Sequence, residues 1–526
     1  MNEPAFDKTT AGVRPPEGYE NTPEKTAREP RQYTRMERIA AWLLIPLGYG
    51  FCRACPVYRY PLGAMLSIFA LLALTIFMLH HNGRKIRGMA LAACISILPV
   101  SLSLFFSANA MIHTIAVLYS LAACAYTVYA ACGNTLEDGL SDLLPVDLLE
   151  TVFALPFAGF GALFQALGAG NALKKSGRVL LRIYCGLMLA LVPTLLVVSL
   201  LSYDSHFRRS MVDLLSLDMG DLFSHLFSLL MGVLLALYFF GLYTSASENR
   251  FRERISAEKC RKTADRMHMF SPVTSCSAVF PLLVVYAVFF FSQWEQYVSA
   301  FTGDLPDSVR YADYAREGFF ELCAVSFINL VLLTATGMFT RRCGSDGPGE
   351  SEKLEGGRPE TRRAHPAVRV LHILLSGCTL VLIATAVSKM FLYIEAYGLT
   401  PKRVYATWFM LVLAAVFVLV IIRQFAHRLK LIAVSITVCV GMFAALGLAN
   451  VDGFIADYNV ERYLNGTLKT LDTYTLTELG DAAVPAKLRA GLAPEPASED
   501  AESIFSATLP GIRAELARRQ TPETFD

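Results

Sequence analysis

Ten separate runs of roughly 20 apolar residues punctuate this chain, and they constrain its fold more than any other feature. A helix rises about 1.5 Å per residue, so about 20 such residues cross a hydrocarbon layer of about 30 Å. The runs are Leu62–His80, Met89–Ser107, Met111–Cys132, Val179–Leu201, Leu222–Thr244, Val273–Trp294, Phe319–Thr340, Val368–Met390, Val404–Ile422 and Leu431–Ala449. An eleventh, Ile39–Phe51, is short: either it extends to about Tyr60 with Arg53 and Arg59 snorkelling, or it is re-entrant. Leu148–Leu167 is apolar but broken by Pro156, Gly159 and Gly161, which reads as an interfacial or re-entrant helix. The expected fold is therefore all-α: a polytopic transmembrane helix bundle of 10–11 helices.

Composition agrees. Charged residues make up 17% of the 526, against about 25% in a soluble domain. The net charge of +2 offers no field for nucleic acid, so none is expected as a partner. The lipid bilayer is the expected partner, with a membrane or envelope protein as a further one. Most of the 12 cysteines fall inside apolar runs and read as small buried hydrophobes. Cys52-Arg53-Ala54-Cys55 is a lone C-x-x-C, a weak metal or redox signal.

The placement of charge sets the expected sidedness. If Ile39–Phe51 crosses and Leu148–Leu167 does not, loops 81–88, 168–178, 245–272, 341–367 and 423–430 share one side and carry 22 Lys and Arg. Loops 52–61, 202–221, 295–318 and 398–403 carry 8. The positive-inside rule then puts the N-terminus in the cytoplasm and the C-terminus outside. Residues 1–38, polar and rich in proline, read as a disordered cytoplasmic arm. Residues 39–449 form the bundle, with cytoplasmic linkers at 245–272 and 341–367. Residues 450–526 read as a small extracytoplasmic helical domain or tail, with Thr475–Glu478 as a capping box and Ile512–Arg519 as a short helix.

No catalytic signature appears: no Walker loop, no G-x-S-x-G, no H-E-x-x-H and no kinase set. No catalytic residue, cofactor or metal site is expected. Ionisable groups inside spans are suspects by default. Glu321 near one end of its run and Asn329 eight residues deeper are read as sharing a face, either as a site or as interhelical packing.

The densest polar and aromatic text lies on the expected outer side, in three blocks. The first holds Tyr311, Tyr314, Arg316, Glu317 and Glu321; the second Lys389, Tyr393 and Glu395; the third Asn459, Glu461, Arg462, Tyr463 and Asp472. The aromatic belt alone does not call for so many charged neighbours. The three blocks are expected to meet as one polar cap, with Arg316, Lys389 and Arg462 pairing with Glu317, Glu321, Glu395, Glu461 or Asp472. Such a cap is a docking interface for the C-terminal domain or a ligand site.

At these blocks the chain resembles the uncharacterised bacterial multi-pass membrane proteins grouped as a domain of unknown function of the 4153/4173 type. The tract Tyr297 to Leu322, then Tyr393 to Arg403, Tyr458 to Tyr463, Leu471 to Tyr474 and Asp481 to Pro485 carry the likeness in that order. It covers roughly the last three fifths of the chain. It implies an architecture and a bacterial inner-membrane setting, and no activity. Three function classes fit, in this order. The first is a non-enzymatic scaffold, sensor or regulatory membrane partner. The second is a transporter or lipid-handling protein with a site near Glu321 and Asn329. The third is an enzyme acting at the outer face.

Overall fold

The computed structural model describes residues 31–55, 60–137, 139–167, 219–248, 258–260, 270–292, 319–340, 365–426, 428–494 and 504–520, with single positions at 186, 197, 201, 204, 206 and 294. Among them helix is the dominant regular element, and the all-α bundle expected from the apolar runs is what the chain forms. Among the described residues, nine helices have the length and apolarity of membrane spans. They match nine of the ten runs; Val179–Leu201 lies largely outside the described residues.

In chain order the elements are α1 Arg35–Ala54, α2 Pro61–His81, α3 Met89–Phe106, α4 Ala110–Ala131, α5 Leu144–Leu149, a π-turn Glu150–Ala154, α6 Leu155–Ala158 and α7 Ala162–Ala166. Then come α8 Met219–Ser247, α9 Pro272–Ser292, α10 Phe319–Phe339, α11 Pro366–Tyr397, α12 Pro401–Phe425 and α13 Leu431–Leu448. The C-terminal region holds α14 Val451–Leu464, α15 Thr473–Glu478, a 3-10 turn Gly480–Ala483, α16 Val484–Arg489, a 3-10 turn Ile504–Ser506 and α17 Leu509–Gln520.

The short eleventh run is a full-length helix. α1 has 20 residues, about 30 Å. It begins at residue 35, inside the expected arm, because Thr34 and Glu37 close a capping box there. Charge at its ends hid its length from a purely apolar reading. It lies antiparallel to α8 along a whole span: Arg31 reaches the Thr244 carbonyl at one end (3.5 Å) and Arg53 the Ser224 hydroxyl at the other (3.2 Å). Between them Gly48 meets Gly232 so closely that a Cβ on Gly48 would stand 2.3 Å from the Gly232 carbonyl oxygen.

Leu148–Leu167 is a broken segment, as its prolines and glycines suggest. The helical stretch 144–158 is about 22 Å long and then turns at Gly159–Gly161. It touches α8 near one end, through Tyr238 and Gly241–Ser245. The chain is therefore at one end of the bundle at Gly159 and at the other at Ser224.

Contacts between helix ends sort the loops into two sets. Arg31 meets Glu248, Arg84 meets the Cys132 and Ser247 carbonyls, Lys430 meets Glu137, and the Arg369 guanidinium covers the Phe425 ring. Phe270 and Ser275 at the start of α9 meet Phe339 and Thr340 at the end of α10. All these ends lie together at what we term the arm end. The described parts of loops 81–88, 245–272, 341–367 and 423–430 lie there, and 168–178 lies outside the described residues. The opposite end carries the C-terminal region and is termed the cap end.

Two apolar cores build the bundle. One joins α1–α8 with Ala433 and Ala444 of α13. The other joins α9–α12 with α14–α16. α13 connects them, packing on α3 and on α12. On the far side of the C-terminal region, Ile504–Ser506 and α17 reach α2 and α3, so the cap end is also tied to both cores.

Candidate functional site

The cap is built around the C-terminus of α11. The last carbonyls of a helix lack intrahelical donors and carry its negative dipole end, so cations gather there. Arg403 donates to the carbonyls of Tyr397 (3.2 Å) and Gly398 (2.5 Å), and Arg462 donates to that of Ile394 (3.3 Å). The Arg403 guanidinium lies 4.1 Å over the Tyr393 ring and the Arg462 guanidinium 5.5 Å over the Tyr458 ring. Arg462 also donates to Thr467.

Asn459, 3% exposed, fastens α14 to the α11–α12 turn. Its Oδ1 accepts from the Leu399 amide and its Nδ2 donates to the Leu399 carbonyl, both at 2.7 Å. Gly398 has φ +77°, and a Cβ there would stand 2.6 Å from the Asn459 Oδ1. The position requires glycine for both reasons.

The second and third sequence blocks therefore meet. At Arg462 the contact is not the expected ion pair. Arg462 is spent on carbonyls, while Glu395, Glu461 and Tyr463 are exposed. Carbonyls win because the α11 terminus is buried against α14 and must be satisfied, whereas exposed carboxylates keep their water. Asp472 is the N-cap of α15, accepting from the Thr475 amide (3.1 Å) and hydroxyl (2.7 Å). This replaces the expected Thr475–Glu478 box, since Asp472 holds the N-cap position three residues before Thr475. Burial pushes its carboxyl up, but the Thr475 and Tyr474 hydrogen bonds and the charge of Arg403 outweigh that and leave it below the ordinary carboxylate range. Lys389 is half-buried on α11. Tyr311, Tyr314, Arg316 and Glu317 lie outside the described residues.

Glu321 and Asn329 do not form a pair. Eight residues at 100° each leave them about 80° apart around α10. Glu321 faces out, and Asn329 is fully buried between α9 and α11. The Tyr286 hydroxyl donates to Asn329 Oδ1 (2.7 Å), and Asn329 Nδ2 donates to Thr379 Oγ1 (2.8 Å). Towards the arm end the same three-helix seam continues through Thr336 with His372 (2.9 Å) and Ser275 with Thr340 (2.5 Å). Neutral groups bound to one another in this way are interhelical glue.

Sequence reasoning missed two buried acids. Asp147 is 2% exposed and Glu150 7%. The Tyr129 hydroxyl lies 3.0 Å from Asp147 Oδ1 and 3.1 Å from Glu150 Oε2. Burial pushes Asp147 up to about 6, against the hydrogen bonds from Tyr129 and the Leu136 amide, and the nearby Glu137 raises it further. Glu150 is also raised, by burial first and by Asp147 last. The readable signal was two acids three apart within Leu143–Ala154; reading the apolar run from Leu148 left Asp147 outside it. A third missed acid, Asp452 on α14, accepts from the Tyr405 hydroxyl (3.3 Å) and is raised by burial.

Cys52 and Cys55, at the end of α1, are not joined in a disulfide. Among the described residues no cluster of three or more His, Cys, Asp or Glu is placed to hold a metal. A cleft between α1, α2 and α8, lined by Leu44, Phe51, Leu71 and Leu235, is apolar and holds no more than about one water.

No curated protein and no solved structure matches the chain. A family does, over residues 89–347 and 354–490, so the likeness read in the last three fifths reaches back to the start of α3. With more than half its length matched, this multi-pass chain belongs to the family described as domain of unknown function DUF4153.

Proposed function

We propose that this protein is a non-enzymatic membrane scaffold, sensor or regulatory partner, with its arm end in the cytoplasm and its cap outside. The orientation rests on charge: Arg84, Lys85, Arg87, Arg423, Arg428 and Lys430 gather at the arm end with Arg31, Arg35 and Arg38. The functional reading rests on one observation. The polar groups that a substrate would need are already used by the fold. Asn329 is held by Tyr286 and Thr379, Arg403 by the Tyr397 and Gly398 carbonyls, and Arg462 by the Ile394 carbonyl and Thr467. The cap thus works as a docked lid over both cores. Its exposed Tyr463 (42%) and Tyr474 (77%) give a membrane or envelope protein partner aromatic anchors.

The test is cysteine scanning of α10 in intact cells with small membrane-impermeant thiol reagents. The proposal expects no labelling at position 329 or along the buried seam positions 326 and 336. Labelling there would reveal a water path and favour the transporter class. Reporter fusions after residue 520 test the side, and a cytoplasmic signal overturns the outward cap.

A further inference from the structure

Tyr129 brings one hydrogen to two carboxyl groups. Its phenol oxygen is 3.0 Å from Asp147 Oδ1 and 3.1 Å from Glu150 Oε2. A phenol has a single donor hydrogen, so with both acids ionised one of the two contacts would set lone pair against lone pair. Like charges this close in a buried pocket do not readily both ionise. The missing hydrogen must come from a carboxyl.

Among the described residues, the groups that face the pair are acidic or neutral. They are Tyr126 from α4, Glu137 from the loop before α5, Tyr238 from α8 and the Cys260 thiol from the stretch 258–260. Among the described residues neither Asp147 nor Glu150 carries an ion pair.

The pair sits on a segment that few polar contacts join to the rest of the bundle. Glu150 starts a π-turn, a form found mostly as single turns at functional positions. The segment around it is short, broken and held to α8 by few polar contacts, the Tyr238 hydroxyl on the Val152 carbonyl (3.1 Å) and the Gly159–Gly241 approach. Beside that approach the Ser245 Oγ is buried without a hydrogen-bond partner.

We propose that Tyr129, Asp147 and Glu150 form a proton-locked latch: one carboxyl proton completes the second hydrogen bond to the phenol, and its loss to water at the arm end releases residues 144–166 from α4 and α8. The direction follows from linkage. A carboxyl whose folded value is raised holds its proton better in the docked state. Docking is then strongest at low pH and weakens as pH rises through about 6.

Hydrogen exchange of the full chain in lipid nanodiscs tests this, reading amides 150–158 from about pH 5 to about pH 8 after correction for intrinsic exchange. The wild type should lose about tenfold or more of its protection across that window. Glu150→Gln and Asp147→Asn, which carry their own amide hydrogens, should stay protected and flat. A flat wild-type profile overturns the latch, and so does a slope that persists in both variants. A second measurement needs no variant: in wild-type protein with isotope-labelled Asp and Glu, a protonated-carboxyl infrared band must be lost over the pH at which the fall in protection levels off. A band lost elsewhere, or no such band, overturns the coupling. The latch stands whichever side of the membrane the arm end faces, so a failed topology test leaves it intact.

Discussion

The two cores of this bundle handle buried polarity in opposite ways. The first, α1–α8, buries charge at its arm end: Glu37 at 3% exposure against Arg31 (2.6 Å), and Asp147 and Glu150 on Tyr129. It also brings backbones into contact through Gly48–Gly232 and Gly159–Gly241. The second, α9–α12, buries an amide, an imidazole and hydroxyls along a seam that reaches the middle of α10. Depth explains the contrast. Asn329 is ten residues, about 15 Å, from either end of α10, where an unpaired charge is most costly and a neutral amide is tolerated. Glu37 and Asp147 lie in the first turns of their helices, and Glu150 lies one turn further on beside the end of α4, where amides and hydroxyls can share their charge. The comparison teaches that acids in this protein mark ends and neutral polar groups mark helix contacts.

The strongest way to break this comparison is at the glycines. In Gly232→Ala the new Cβ would stand 2.4 Å from the Tyr49 nitrogen, and backbone cannot yield as a side chain can. We expect a loss of about 3 kcal/mol or more, seen as failure to accumulate or a steep drop in thermal unfolding temperature. Gly377→Ala on α11, with open space around it, should stay within about 1 kcal/mol of wild type.

Next in size is Tyr129→Phe. It strips both carboxyls of their shared phenol and should cost about 2–3 kcal/mol, read as detergent-resistant folding. Asn459→Ala removes both hydrogen bonds to Leu399 and should cost about 2 kcal/mol, felt locally. The readout is faster proteolytic clipping between α13 and α14 with the bundle intact. Asn329→Leu sharpens the contrast from the other core: a neutral membrane hydrogen bond is worth about 1 kcal/mol, so the variant should fold nearly as well as wild type. Asn329→Asp, which puts charge at mid-depth, should do far worse. The smallest effect belongs to Glu321→Gln, within about 0.5 kcal/mol, because its side chain is exposed. A large loss there would reopen Glu321 as a functional group.

Much of the fold was legible because a span needs only length and apolarity, both of which are local. The nine spans, the broken character of Leu148–Leu167 and the helix near Ile512 all follow from residues adjacent in sequence. The candidate site was legible only in part. Tyr393, Asn459, Arg462 and Asp472 do lie at the cap, yet charge complementarity suggested ion pairs where helix-end carbonyls are the acceptors. Carbonyl acceptors are present at every residue, so nothing in the side-chain text marks which of them a fold will leave open.

The sequence by itself determined that this chain is a multi-pass helical membrane protein, since apolar runs of span length leave few other folds available. Tertiary structure decided the rest. It made α1 a full partner of α8, placed two acids on one phenol and spent Asn329 on packing. Each of these joins residues from separate helices, from 18 positions apart for Tyr129 and Asp147 to 171 for Arg53 and Ser224. Hydropathy is a property of one segment; which faces meet is fixed only when all the helices pack together.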